Sequence, residues 1–93
     1  MIHVLIERHV ASGLLSTYEN FLRQALQKTF VTGGFISGEA FHSTNNENHR
    51  FLMCKWRSQQ DWDRWYSSDE RRELMSILKP LLEQDEQIQI LVH

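Results

Sequence analysis

A single cysteine, Cys54, excludes an internal disulfide. With no CxxC pair, iron–sulfur chemistry has no support either. Glycine is scarce, at four residues, and none belongs to a phosphate-cradling loop after a strand, so a nucleotide fingerprint is missing. The charge balance is slightly acidic: ten Lys and Arg against twelve Asp and Glu, for a formal charge of -2. That leaves no basic field for nucleic acid or an anionic membrane, and the one short cluster, Arg71-Arg72, is diluted by Asp69, Glu70 and Glu73. No apolar run reaches the roughly 18 to 20 residues of a transmembrane span. The N-terminus lacks a basic lead and meets Glu7 and Arg8 too early for a signal peptide, which makes the cytoplasm the expected compartment.

What remains is an ordinary folding composition, 41% hydrophobic and 24% charged, over 93 residues. One domain spanning 1–93 is expected, with a core thin enough that a partner subunit would help it. Residues 2–10 alternate: Ile2, Val4, Ile6 and Val10 share one face, interrupted by Arg8, while His3, Leu5, Glu7 and His9 share the other. The first face reads as core and the second as a pocket or an interface. After Ala11-Ser12-Gly13, Leu15, Tyr18, Leu22, Ala25, Leu26 and Thr29 recur at helical spacing over about 14–31. Ser16 with Glu19 fits a capping box, Ser12 could cap an earlier start, and Gly33-Gly34 is the expected left-handed stop.

Strands follow at 35–42 and 50–57, joined by the polar segment 43–49. Ser58 with Asp61 opens a short helix over 59–66. Ser67-Ser68-Asp69-Glu70 restarts a helix to about residue 83, which the only proline, Pro80, should kink or locally irregularise. The last strand is 87–92. The order β-α-β-β-α-β predicts an α+β, ferredoxin-like fold, an antiparallel four-stranded sheet with helices on one face. The uncovered face, carrying residues such as Leu5, Phe41 or Ala40, Met53 and Leu91, predicts a homodimer through that face.

The densest segment runs from Lys55 to Tyr66, with three tryptophans and a tyrosine around a helix start. Together with Gly34-Phe35-Ile36-Ser37-Gly38-Glu39, Trp56-Arg57-Ser58-Gln59-Gln60 and Trp65-Tyr66-Ser67-Ser68-Asp69-Glu70-Arg71, it makes the chain resemble the antibiotic biosynthesis monooxygenase family over nearly its whole length. The resemblance implies a dimeric α+β barrel. It also implies a cofactor-independent monooxygenase acting on a small aromatic or polyketide-like substrate, with neither metal nor flavin. The family's haem-degrading branch uses an asparagine near the end of the first strand, a tryptophan in the second helical region and a histidine ten residues later. Trp65 matches the tryptophan, but Glu7 stands at the asparagine position and Met75 at the histidine, which argues against haem degradation.

Within that resemblance, Trp65 is the expected ring wall, and His9 or Glu7 the acid–base or polar contact. Trp56, at a strand end facing the helices, reads as core, and of Trp62 and Trp65, three apart, one should anchor the helix. His3, Glu7 and His9 form a polar row that a metal could use. Same-face steps of about 6.6 Å along one strand are too wide for one ion without a ligand from another strand. His42 and His49 read as exposed flanks of the hairpin loop, and His93 as a frayed terminus. Cys54 reads as a buried thiol, and Arg64, Arg71 and Arg72 as a charged helix surface or a greeting for an anionic ligand. The lack of a catalytic pair leaves a second reading open: a non-catalytic dimeric ligand-binding or interaction protein of the same fold.

Overall fold

A computed structural model describes residues 1–93. The strands are β1 (Ile2–His9), β2 (Phe35–His42), β3 (His49–Trp56) and β4 (Gln87–Leu91); the helices are α1 (Leu15–Phe30), α2 (Gln59–Tyr66) and α3 (Asp69–Leu78). The four strands form one antiparallel sheet in the order β2-β3-β1-β4, the ferredoxin-like arrangement the alternation predicts.

Strand parity sorts the residues between two faces. Ile2, Val4, Ile6 and Arg8 alternate as the buried members of β1. Opposite them in register stand Trp56, Cys54, Leu52 and Arg50 of β3, and Ile88 and Ile90 pair with Ile6 and Val4. Tyr18 and Phe21 of α1, Trp62 and Trp65 of α2, and Leu74 and Leu78 of α3 complete this core. The other face is uncovered in a single chain. His3, Leu5, Glu7 and His9 line it beside Lys55, Met53, Phe51 and His49. Phe41, paired with Phe51, belongs there, whereas Ala40 pairs with Leu52 on the helix side.

The helix ends are where sequence and structure part. Ser58 caps α2 by accepting from Asp61 N–H at 3.2 Å, and Ser68 caps α3 by accepting from Arg71 N–H at 3.1 Å. Neither Ser12 nor Ser16 caps α1, whose N-cap position is Leu14 with no side-chain bond. Gly13 at φ +83° turns the chain, and Leu14 and Leu15 pack on the core, so apolar burial sets the start of α1. Its end also differs, since Val31 is the C-cap in ordinary backbone. The left-handed residue is Gly34, at φ +92°, where the chain turns into β2. Pro80 acts as expected: α3 stops at Leu78 and gives way to one 3₁₀ turn, Lys79–Leu81. No helix is long and apolar enough to cross a membrane.

Candidate functional site

The helices do not close fully on the sheet. A narrow hollow of about 50 Å³ lies between them, with Ile6, Leu52 and Cys54 as floor, Phe21, Ala25 and Leu26 of α1 on one side, and Leu74 and Met75 of α3 on another. Three indoles wall it. Trp56 meets Trp62 edge-on at 5.7 Å between ring centroids and lies nearly parallel to Trp65 at 6.4 Å. Trp62 and Trp65 thus both face inward, because the three-residue spacing on α2 puts both over the sheet. The Trp56 indole N–H is fully buried and has no acceptor. An orphaned buried donor is costly, on the order of 1–3 kcal/mol.

The polar part of the site is a buried charge cluster. Arg8 Nε donates to Glu86 Oε2 at 2.8 Å, and its guanidinium reaches the Tyr18 hydroxyl at 3.2 Å. Arg71 binds the other oxygen of Glu86 and lies over the Tyr66 ring, 4.6 Å from its centroid. The side chains of Arg8, Glu86 and Arg71 are 8%, 6% and 11% exposed. Two cations facing one carboxylate leave a net positive charge at the hollow. Burial by itself lowers the Arg8 guanidinium, but Tyr18 and Glu86 outweigh it and hold the group above its ordinary value. A second, wider cleft of about 470 Å³, lined by Tyr66, Ser68, Arg72, Lys79, Asp85 and Ile88, shares Arg71, Glu86 and Met75 with this region. Met75, like Arg71, borders both spaces.

Asp61 holds the start of α2. It accepts two bonds from Arg57, at 3.0 and 3.1 Å, one from Arg64 at 3.0 Å and one from the Ser58 hydroxyl at 2.8 Å. The Arg57 and Ser58 bonds hold its carboxyl down at about 2. Cys54 is pushed up to about 11 by burial, with Arg8 opposing the shift, so its thiol stays protonated and inert.

The structure divides the expected site residues. Trp65 lines the hollow. Glu7 and His9 leave β1 on the opposite, uncovered face, so they cannot touch a ring held against Trp65 in the same chain. The first-strand polar group that does reach the hollow is Arg8. Glu7 and His9 instead meet His49, which is half-buried and paired with Glu7, not an exposed loop flank. Arg71 lines the hollow, whereas Arg64 and Arg72 have side chains 71% and 74% exposed. Arg8 carried a signal, since an arginine at core parity demands a buried counter-charge. Glu86, in the polar run 83–87, carried none.

A sheet open on one side, three short helices on the other and an aromatic hollow between them define a class of small α+β proteins. The chain belongs to the antibiotic biosynthesis monooxygenase family, whose model matches residues 1–76. A conserved protein from Methanosarcina mazei has a similar structure, with a TM-score of 0.88 at 19% identity over 96% of this chain and 88% of that one. Rv0793 from Mycobacterium tuberculosis gives 0.87 at 16% identity, over 99% and 93%. A structure described as an antibiotic biosynthesis monooxygenase gives 0.89 at 13%, over 100% and 98%. At these identities the likeness is one of fold. A search of curated proteins gave no significant match.

Proposed function

We propose that the protein is a monooxygenase for a small, electron-rich aromatic substrate and works without a metal or flavin. The observation that carries this reading is a hollow walled by Trp56, Trp62 and Trp65 and edged by Arg8 and Arg71, with the Trp56 N–H buried and unpartnered in the protein. An indole-lined slot suits a flat ring. The orphan donor suits a carbonyl or phenolate oxygen on that ring. The surplus positive charge lowers the cost of forming the phenolate or enolate. Such an anion can pass an electron to dioxygen, and the two radicals then recombine. For an anthrone-type methylene the sum balances without an outside reductant: CH2 plus O2 gives C=O plus H2O, the substrate supplying all four electrons.

In this reading Trp65 is the ring wall, Trp56 fixes the oxygen, and Arg71 stabilises the anion from the cleft side. The uncovered sheet face pairs with a second copy, burying Leu5, Phe41, Phe51 and Met53 and leaving each hollow within its own chain. Sedimentation at micromolar concentration should give a dimer. Substrate-dependent oxygen uptake with anthrone- and quinol-type compounds tests the chemistry. Uptake should fall at least ~10-fold in Trp65→Ala through loss of ring positioning. A folded protein that consumes no oxygen across such a panel would refute the reading. The narrowness of the hollow, about 50 Å³, favours a second reading, a ligand-binding or interaction protein of the same fold. That reading predicts saturable quenching of tryptophan fluorescence by aromatic ligands with no oxygen consumed.

A further inference from the structure

The uncovered face carries a second constellation, unrelated to the hollow. His9 of β1 and His49 of β3 are direct cross-strand partners. Their imidazoles stack at 4.3 Å between centroids, tilted by 17°. Glu7, two residues before His9 on the same face, reaches diagonally across. Its Oε2 lies 2.5 Å from His49 Nε2 and 3.7 Å from His9 Nε2. One donor atom from each of the three residues lies within 4.8 Å of the other two. The neighbouring strand thus supplies the ligand that β1 alone cannot.

We propose that Glu7, His9 and His49 form a site for a divalent transition-metal ion. Two imidazoles and one carboxylate are the donor set of zinc and of its neighbours cobalt, nickel and copper, not of magnesium or calcium, which take all-oxygen shells. Tetrahedral ligands bonded at about 2.1 Å stand about 3.4 Å apart. The three donor atoms already lie within 4.8 Å of one another, and binding requires the two stacked rings to turn so that a nitrogen of each faces a common point. In the ion's absence Glu7 satisfies only one imidazole well; an ion satisfies all three groups with a net charge of one positive unit.

The backbone around the site is fixed on both sides. Val10 N–H donates to Asn48 O at 2.8 Å, and Asn48 Nδ2 donates to Val10 O and Ala11 O at 3.2 and 3.3 Å. These bonds pin the end of β1 to the start of β3, so the two histidines are held opposite one another before any ion arrives. In a single chain the site's side chains are about a quarter to a third exposed, on the sheet face that the second copy would cover.

Cobalt(II) titrated into the full-length protein, followed by its visible d–d absorption, with zinc displacing it, tests the proposal. The expected result is one ion per chain, displaced by zinc. Affinity should fall at least ~10-fold in His9→Ala and in His49→Ala, and stay unchanged in His42→Ala, a hairpin histidine outside the cluster. Glu7→Gln, which keeps the side chain's shape, should also weaken binding, and it serves should a histidine variant fail to fold. Absence of saturable binding, or equal binding in the wild type, His9→Ala and Glu7→Gln, would overturn the proposal. Oxygen uptake does not enter this experiment, so its failure and that of the monooxygenase reading are separable.

Discussion

Removing the negative charge of Glu86 should cost far more than removing either arginine it binds. Glu86 is the only carboxylate shared by Arg8 and Arg71, and all three side chains are 11% exposed or less. Glu86→Gln leaves two guanidiniums buried side by side with no counter-charge. Breaking a buried pair from one side costs about 3–5 kcal/mol. Arg8→Met is milder because it strands no charge: Glu86 keeps Arg71, and the change forfeits the bonds to Glu86 and to the neutral Tyr18 hydroxyl, about 1.5–3 kcal/mol for the charged one. Urea unfolding at one fixed protein concentration reads the difference. With a slope of about 1 kcal/mol per molar urea, Glu86→Gln should lower the midpoint by about 3 M or more. The double variant Arg8→Met/Glu86→Gln should be less destabilised than the sum of the two single changes by about 0.5–3 kcal/mol, since it removes one of the stranded cations. A Glu86→Gln midpoint within about 1 M of wild type, or a smaller loss than in Arg8→Met, would refute the charge cluster as described.

Three other outcomes follow from single contacts. Gly34→Ala would place a Cβ 2.4 Å from Asp61 Cβ and Cγ at a φ of +92°, so thermal unfolding should drop by well over the ~1–2 kcal/mol of left-handed strain alone; an unchanged Tm would contradict that contact. Asp61 is held down at about 2, so its contribution is complete above its unfolded value near 3.8 and is lost as pH falls through about 2. Asp61→Asn should therefore flatten the acid limb of the stability profile, and an acid limb identical to wild type would count against it. Cys54, with its thiol pushed up to about 11, should react with a thiol reagent at about pH 8 only as fast as the protein opens, far below a free thiol; rapid labelling of the native protein would contradict its burial.

The period-two alternation of β1 and the helical spacing of Leu15 to Leu26 were legible because each follows from which face must be dry. Pro80, the cap Ser58 and the helix restart at Ser67-Ser68-Asp69-Glu70 were legible because each acts within a few residues. What escaped depended on tertiary pairing. His49 looked like a loop residue until register placed it opposite His9. Glu86 had no local mark, and its role exists only because β4 runs beside β1 and brings its approach to Arg8. Ser12 and Ser16 satisfied a capping pattern that burial of Leu14 and Leu15 overrode. Trp65 lines the hollow, but the base expected beside it stands on the far side of the sheet.

The most direct test of the central claim is labelling with ¹⁸O2 during turnover of an anthrone-type substrate, with the product examined by mass spectrometry. The account predicts one labelled oxygen atom in each product molecule and one dioxygen consumed per substrate, with label incorporation falling in Trp65→Ala. Unlabelled product, or binding of the substrate with no oxygen consumed, would contradict it.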